Sequence, residues 1–264
     1  MEIVFRDLFS RNPQRQENGI FYFDTDHDGD YFDEDDINYW KNGRFYANWR
    51  NRKLLENPVS RYLLDMIIMS GSPIIDLACG PSMGFIPSIK MLDPSIPCMA
   101  TDASSLIVSE WKWYLEHNER YSKIDFAQFS VFDIPLKNES VQAYSSFIGT
   151  SSSRGGESGY ISALSEIHRT LTKGGLFYTI ENEWTDIPTI LNLFEKMNQR
   201  PWNIFCEKQT SWHNRFMKCG FEIIYEKQYN HRNLSSYDNE LGEAAHKFGV
   251  DVGMNFIAYV AKKR

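Results

Sequence analysis

The chain of 264 residues is long enough for one large α/β domain with an extension or for two small domains, since 42% of its residues are hydrophobic and 24% are charged. Its formal net charge is -7, but residues 24–36 alone carry eight carboxylates and neither Lys nor Arg, so the rest of the chain sums to +1. A nearly neutral body gives no electrostatic reason to expect nucleic acid or an anionic membrane surface as the main partner.

The sequence also lacks the usual marks of export and of membrane insertion. The first residues do not combine a basic segment with an apolar run, and no stretch approaches the roughly 18 apolar residues that span a bilayer. The four cysteines are irregularly spaced and form no C-x-x-C pair (Cys79, Cys98, Cys206 and Cys219). We therefore expect a cytoplasmic protein with reduced thiols.

The first segment to consider is the acidic run DTDHDGDYFDEDD. Asp24, Asp26 and Asp28 fall at positions one, three and five of an EF-hand calcium loop, and Gly29 falls at position six. Position twelve is Asp35, where a bidentate Glu is usual. Two alternatives stay open: weak calcium binding at Asp24–Asp35, or a metal-free solvated turn followed by a helix whose first turn is acidic.

The remainder of the N-terminal segment is polar, aromatic-rich and mainly helical in pattern after Asp33. Tyr39 and Tyr46 lie seven positions apart, and Trp49 follows three positions later, so helical spacing places them in one stripe. The stripe either docks the helix on the sheet or covers a bound ligand. We interpret residues 1–71 as an acidic loop and a helical lid on the sheet rather than an independent domain, and residues 72–264 as the main domain.

From residue 72 onward, short apolar runs alternate with helical patterns, which is typical of a doubly wound parallel sheet. Seven runs are predicted strands: SPIIDLA, PCMATD, IDFAQFSVFD, VQAYSSFIGT, LFYTIENEW, FEIIYEKQY and NFIAYVAKK. YISALSEIHRTLTKGG is predicted as a helix that ends at Gly174 and Gly175. The predicted fold is α/β, with a doubly wound, mostly parallel, seven-stranded Rossmann-like sheet and an N-terminal helical cap.

Three carboxylates are predicted at the ends of the first three of these strands. Asp76 precedes the turn ACGPSMG, where small residues let the backbone approach a ligand closely. Asp102 ends the next strand, 22 residues after Gly80, where an acidic side chain can accept hydrogen bonds from the two hydroxyls of a ribose. Asp133 ends the third strand and places another acceptor at the same edge of the sheet.

The order of these parts resembles the class I S-adenosylmethionine-dependent methyltransferase family over roughly residues 72–262. Asp76, Ala78 and Gly80 match the first motif of the family, whose usual form has glycine where this chain has Ala78 and Ser82. Asp102 matches the acid that binds the ribose, and Asp133 with Ile134 matches the position that usually contacts the adenine. LSEIHRTLTKGGLFYTIEN and FMKCGFEII are similar to later segments of the family.

The resemblance implies a methyltransferase with S-adenosylmethionine as cofactor and a small molecule as substrate. The implied cofactor-binding set also contains Pro81, Ala103 and Phe147, together with Tyr39 and Tyr46 of the lid. We assign no catalytic side chain and no metal ligand, because the cofactor is itself the electrophile and alignment with exclusion of water can suffice. The alternatives are a cofactor- or calcium-binding regulatory protein without catalysis, and a methyltransferase that acts on protein side chains.

Overall fold

A nine-stranded sheet forms the centre of the protein in a computed structural model that describes residues 5–23, 34–41, 49, 52–119, 121–206 and 210–264. The strand order is β1-β2-β5-β4-β3-β6-β7-β9-β8. Neighbours from β2 to β7 in this order pair in parallel, whereas the β1–β2, β7–β9 and β9–β8 pairs are antiparallel. The bounds are Arg15–Glu17 (β1), Ile20–Tyr22 (β2), Ile74–Asp76 (β3), Cys98–Asp102 (β4), Ile124–Gln128 (β5), Val141–Phe147 (β6), Leu171–Trp184 (β7), Phe221–Asn233 (β8) and Gly253–Lys263 (β9).

All seven predicted strands are present as β3 to β9, but the predicted number of strands is wrong, because β1 and β2 extend the sheet beyond β5. Asn18 and Gly19 join these two strands with φ values of 50° and 75°, the left-handed conformation that a two-residue hairpin turn requires. β2 pairs in parallel with β5, and Ile20, Phe21 and Tyr22 are all buried. The N-terminal segment therefore contributes strands to the sheet as well as helices.

Helices cover both faces of the sheet, as a doubly wound architecture requires. Buried residues of α3, α4 and α5 form the core on one face, and buried residues of α6 and α9 form the core on the other. The bounds are Glu34–Lys41 (α1), Lys53–Glu56 (α2), Pro58–Ser70 (α3), Ile86–Leu92 (α4), Ser105–Asn118 (α5), Gly156–Thr170 (α6), Ile187–Lys196 (α7), Asn203–Cys206 (α8), Trp212–Lys218 (α9) and Glu240–Phe248 (α10). None of the helices in the described ranges is long and apolar enough to cross a membrane.

Two predicted element ends are wrong. The helix predicted to close at Gly174 and Gly175 ends at Thr170, and both glycines lie within β7. The pairing of β6 with β7 shifts register between Val141 and Ala143, whose partners Leu171 and Leu176 flank the two glycines. A Cβ at position 175 would lie 2.9 Å from the carbonyl oxygen of Thr172. The third predicted strand, which was to continue to Asp133, ends at Gln128, and the chain then turns so that the backbone N–H of Asp133 donates to Ser130 O at 3.2 Å.

The parallel strands bring their carboxyl ends to one edge of the sheet, and this edge carries the candidate site. Two connections meet there. We call residues 77–85 the β3–α4 turn and residues 148–155 the β6–α6 loop. The predicted boundary after residue 71 falls between α3 and β3 and remains a prediction.

Candidate functional site

The β3–α4 turn reverses the chain through an unusual number of left-handed residues. Ala78, Gly80, Met83 and Gly84 have φ values of 48°, 54°, 57° and 54°. This conformation is common for glycine but costs a residue with a Cβ roughly 1–2 kcal/mol. The turn therefore has a strained backbone at Ala78, the position at which the sequence departs from the glycine usual in the resembled family.

Asp76 fixes this turn to the sheet from within the core. Its Oδ2 accepts a hydrogen bond of 3.0 Å from the backbone N–H of Phe85 and one of 2.6 Å from the Ser145 hydroxyl. A Cβ at Gly84 would lie 1.9 Å from Oδ1 of Asp76, so only glycine fits there. The carboxyl group is fully buried, and burial raises its pKa from 3.8 to about 7. Asp76 thus holds the β3–α4 turn through its bond to Phe85 and its close contact with Gly84.

Asp102 joins the end of β4 to the same turn. Its Oδ2 accepts a hydrogen bond of 2.8 Å from Gly80 N–H, and its Oδ1 accepts one of 2.9 Å from Ser104 N–H. Burial raises the pKa of Asp102 to about 6, against the effect of these hydrogen bonds. The backbone of Ala103 adds a third hydrogen bond, and a carboxylate offers about four lone-pair sites, so Asp102 can still accept from a further donor such as a hydroxyl.

The structure brings five of the predicted residues together at the ends of β3 and β4: Ala78, Gly80, Pro81, Asp102 and Ala103. The backbone N–H of Cys79 donates to Thr101 O at 2.8 Å and so binds the turn to β4. Gly80 and Pro81 begin a short 3-10 helix. The carbonyl oxygen of Ala103 accepts a hydrogen bond of 2.9 Å from Nε2 of Gln128 at the end of β5.

Asp133 and Ile134 have different neighbours from this group. The guanidinium of Arg11 donates to Oδ1 of Asp133 at 3.0 Å, and both side chains are about half exposed (43% and 49%). The side chain of Ile134 is buried in the core, and its backbone N–H donates to Glu166 at 3.0 Å. The Asp133 carboxylate is thus held by the N-terminal segment, and its contact with an adenine stays a prediction.

Phe147 lies at the end of β6 beside a small cleft. Its ring packs edge-to-face against Phe85 and Tyr229, with ring centroids 6.1 and 6.3 Å apart. The cleft has a volume of about 110 Å³ and reaches the β3–α4 turn at Ser82 and Gly84. An aromatic wall therefore stands next to the turn.

Only part of the predicted lid can be placed. Tyr46 lies outside the described residues, and Tyr39 lies in α1, where the structure does not describe its side chain. Trp49 is buried, with its ring 6.5 Å from that of Trp111, whose indole N–H donates to Gly80 O at 3.1 Å. One member of the aromatic stripe thus contacts a residue that holds the turn.

The calcium question also falls largely outside the described part of the chain. Of the Asp24–Asp35 loop, only residues 34 and 35 are described, in α1. Within the described ranges, no group of three or more His, Cys, Asp or Glu side chains is placed to hold a metal ion. Calcium binding stays a prediction.

Sequence reasoning missed several residues that build this edge of the sheet. Gly84 was visible as the last residue of the Gly-rich stretch, but its need to be glycine depends on the buried Asp76 carboxylate. Ser145, Gly149 and Glu181 gave no motif signal, because each acts through a contact with a residue far away in the chain.

Comparison with known proteins identifies the fold. No protein-family model and no curated protein sequence matches the chain. Among solved structures, the MccD protein is 17% identical, with a TM-score of 0.53 over 79% of this chain and 99% of that one. The YcgJ protein of Bacillus subtilis is 12% identical, with a TM-score of 0.51 over 77% of this chain and 99% of that one.

A third similar structure carries ligands. Geranyl diphosphate C-methyltransferase of Streptomyces coelicolor, crystallised with Mg²⁺, geranyl diphosphate and S-adenosyl-L-homocysteine, is 11% identical, with a TM-score of 0.51 over 78% of each chain. Identities this low establish the fold and nothing finer. The chain therefore has a methyltransferase fold.

Proposed function

We propose that the protein is an S-adenosylmethionine-dependent methyltransferase that acts on a small-molecule nucleophile. The observation that carries the proposal is the position of Asp102. Its carboxylate is bonded to Gly80 of the β3–α4 turn and, with about four lone-pair sites and three backbone donors, can accept a further hydrogen bond from a ribose hydroxyl. The fold, shared with a methyltransferase crystallised with the demethylated cofactor, supports this assignment.

The residues of the site fit such a cofactor. Asp102 would accept a hydrogen bond from a ribose hydroxyl, and the small residues Ala78 and Gly80 would let the backbone approach the ligand closely. When bound, S-adenosylmethionine supplies an electrophilic methyl group on a sulfonium. The rings of Phe147 and Tyr229 would line the approach to the turn and exclude water, and aromatic faces also attract a sulfonium cation.

A small substrate is favoured by the size and chemistry of the cleft. It measures about 110 Å³, and Phe147 and Tyr229 form part of its lining. The nearly neutral charge outside residues 24–36 gives no support for a nucleic acid substrate.

A second candidate is a protein that binds the cofactor without transferring its methyl group. The left-handed Ala78 favours this alternative, because its Cβ occupies space that a glycine would leave open in the turn.

Two measurements test the proposal and separate it from the alternative. Mass spectrometry of the purified protein under native conditions should find copurified S-adenosylmethionine or S-adenosylhomocysteine. Incubation with methyl-deuterated S-adenosylmethionine and a metabolite extract should then yield a small molecule that carries the deuterated methyl group, and Asp102→Ala should abolish this label. Cofactor binding without any label transfer would favour the regulatory alternative, and label on protein side chains would favour a protein substrate. Absence of binding would refute both the proposal and the alternative.

A further inference from the structure

Glu181 is a buried carboxyl group in β7, one residue beyond Ile180, which is the last residue of this strand that pairs with β6. It has no exposed surface, and burial raises its pKa. Its Oε2 accepts a hydrogen bond of 2.8 Å from the backbone N–H of Ser151, and its Oε1 accepts one of 2.6 Å from the Thr179 hydroxyl. A group of this kind is costly to bury unless its partners are well placed, so its position calls for a structural or functional reason.

The partner of Glu181 is the β6–α6 loop. Besides the bond from Ser151, this loop is tied to β7 by Ile148 N–H, which donates to Ile180 O at 2.7 Å. Ile148 has a φ of 63°, and a β-branched residue in this region is an outlier that the surroundings must enforce. The contacts from β7 therefore hold the loop in a conformation that it would not adopt alone.

The other side of the loop rests on the β3–α4 turn. A Cβ at Gly149 would lie 2.8 Å from the carbonyl oxygen of Leu77 and 2.8 Å from the Cβ of Ala78. It would also lie 2.5 Å from the Ser146 hydroxyl. The backbone of the loop thus approaches the turn as closely as a glycine permits, and any movement of the loop changes the wall beside Ala78.

We propose that Glu181 is a positioning residue that holds the β6–α6 loop against the β3–α4 turn and so completes the cofactor-binding edge. This inference rests on the proposed function of that edge. Glu181 acts through Ser151 and Gly149 and contacts no reacting atom. Without this acceptor, the N–H of the half-buried Ser151 would have to pair with water, and the loop would move with it.

The central test compares Glu181→Met with Glu183→Met. Methionine approximates the size of glutamate without its acceptor oxygens. Glu183 lies two residues further along β7, but its carboxylate accepts from Trp212 N–H of α9 and not from the loop. Hydrogen exchange should be measured on peptides covering residues 148–156, and the affinity for S-adenosylhomocysteine by calorimetry.

We expect Glu181→Met to raise both the loop exchange rate and the dissociation constant by about tenfold, since leaving a buried donor unpaired costs about 1–3 kcal/mol. Glu181→Gln should return both values to within about threefold of the original, because its amide oxygen can accept from Ser151 N–H while its NH₂ donates to Thr179 Oγ1. Glu183→Met should leave the exchange of this loop unchanged.

A folded Glu181→Met protein with unchanged loop exchange and unchanged affinity would overturn the proposal. Equal effects of Glu183→Met on the loop would also overturn it, because they would indicate a general loss of stability. If Glu181→Met does not fold, Thr179→Val takes its place, since it removes the hydroxyl that contacts Glu181 and the carbonyl oxygen of Ser146 and keeps the side-chain shape. This variant should raise both quantities by about threefold, and unchanged values would refute the inference. Failure of the unaltered protein to bind S-adenosylhomocysteine would refute the proposed function, whereas the exchange data would still test the role of Glu181 in holding the loop.

Discussion

Replacement of Asp76 by Asn tests how the buried carboxyl group beneath the β3–α4 turn is held. Asp76 is fully buried, and burial raises its pKa from 3.8 to about 7 even though Phe85 and Ser145 donate hydrogen bonds to it. The native state therefore holds this proton more tightly than the unfolded state does. It follows that the free energy of unfolding decreases as the pH rises from 3.8 towards 7 and levels off above that range.

The size of the effect follows from these two pKa values. One pKa unit corresponds to about 1.4 kcal/mol, so integration over the titration gives a loss of about 2.5 kcal/mol between about pH 5 and about pH 8. Asp76→Asn has no proton to lose, but its amide oxygen can still accept from Phe85 and Ser145. Between about pH 5 and about pH 8, the free energy of unfolding of the variant minus that of the original protein should therefore increase by about 2.5 kcal/mol.

The assay is urea unfolding of both proteins, free of cofactor, at several values across this pH range. Subtracting the free energy of unfolding of one protein from that of the other at each pH cancels the titration of all other groups. The change of this difference with pH is the quantity compared with the prediction. Asp65→Asn is the control, because this carboxylate is 47% exposed and pairs with Arg61 on the surface of α3. The difference in free energy of unfolding between Asp65→Asn and the original protein should change by no more than about 0.5 kcal/mol over the same pH range.

Parallel pH profiles for the original protein and Asp76→Asn would refute this reasoning, since they would show that the native state does not hold the proton more tightly. A decrease with rising pH in the free energy of unfolding of Asp76→Asn relative to the original protein would also refute it, because the charged carboxylate would then be the favoured native form.

Three further changes test the site and its surroundings. Asp102→Ala should weaken S-adenosylhomocysteine binding by at least about tenfold, since hydrogen bonds to a charged group contribute about 1.5–3 kcal/mol. Asp133→Ala should weaken this binding less. If calorimetry finds the larger effect for Asp133→Ala, the roles of the two acids are misassigned. Gly84→Ala should lower the melting temperature more than Gly80→Ala, because both positions have a φ of 54° but only a Cβ at position 84 would meet a side chain. Equal decreases in melting temperature would show that the turn has room for a Cβ at position 84. Removal of calcium with a chelator should leave affinity unchanged, and a large rise in melting temperature on adding calcium would instead favour a metal site at Asp24–Asp35.

The presence of strands β3 to β9 could be predicted because each contains a short apolar run, although β7, β8 and β9 extend over 14, 13 and 11 residues. The hairpin of β1 and β2 was missed because strands of three residues are too short to show a period. Asn18–Gly19 is nevertheless a strong hairpin signal. Because Phe5, Phe21 and Phe23 are buried in the core and β2 pairs with β5, an N-terminal truncation would uncover β5 as well as remove the predicted lid.

Within the site, the sequence indicated where acidic side chains lie but not what they contact. Asp76 and Asp102 are the last residues of β3 and β4, so their place at the edge of the sheet was predictable. The pairing of Asp133 with Arg11, the donation from Ser145 to Asp76 and the bond between Ser151 and Glu181 join residues far apart in the chain, and only the packed structure brings them together.

The central claim is most directly tested by calorimetric titration of the unaltered protein with S-adenosylhomocysteine, with NAD as the matched dinucleotide control. The account predicts saturable binding of one S-adenosylhomocysteine per chain, displacement by S-adenosylmethionine and no binding of NAD. A folded protein that binds NAD, or that binds neither ligand, would contradict it.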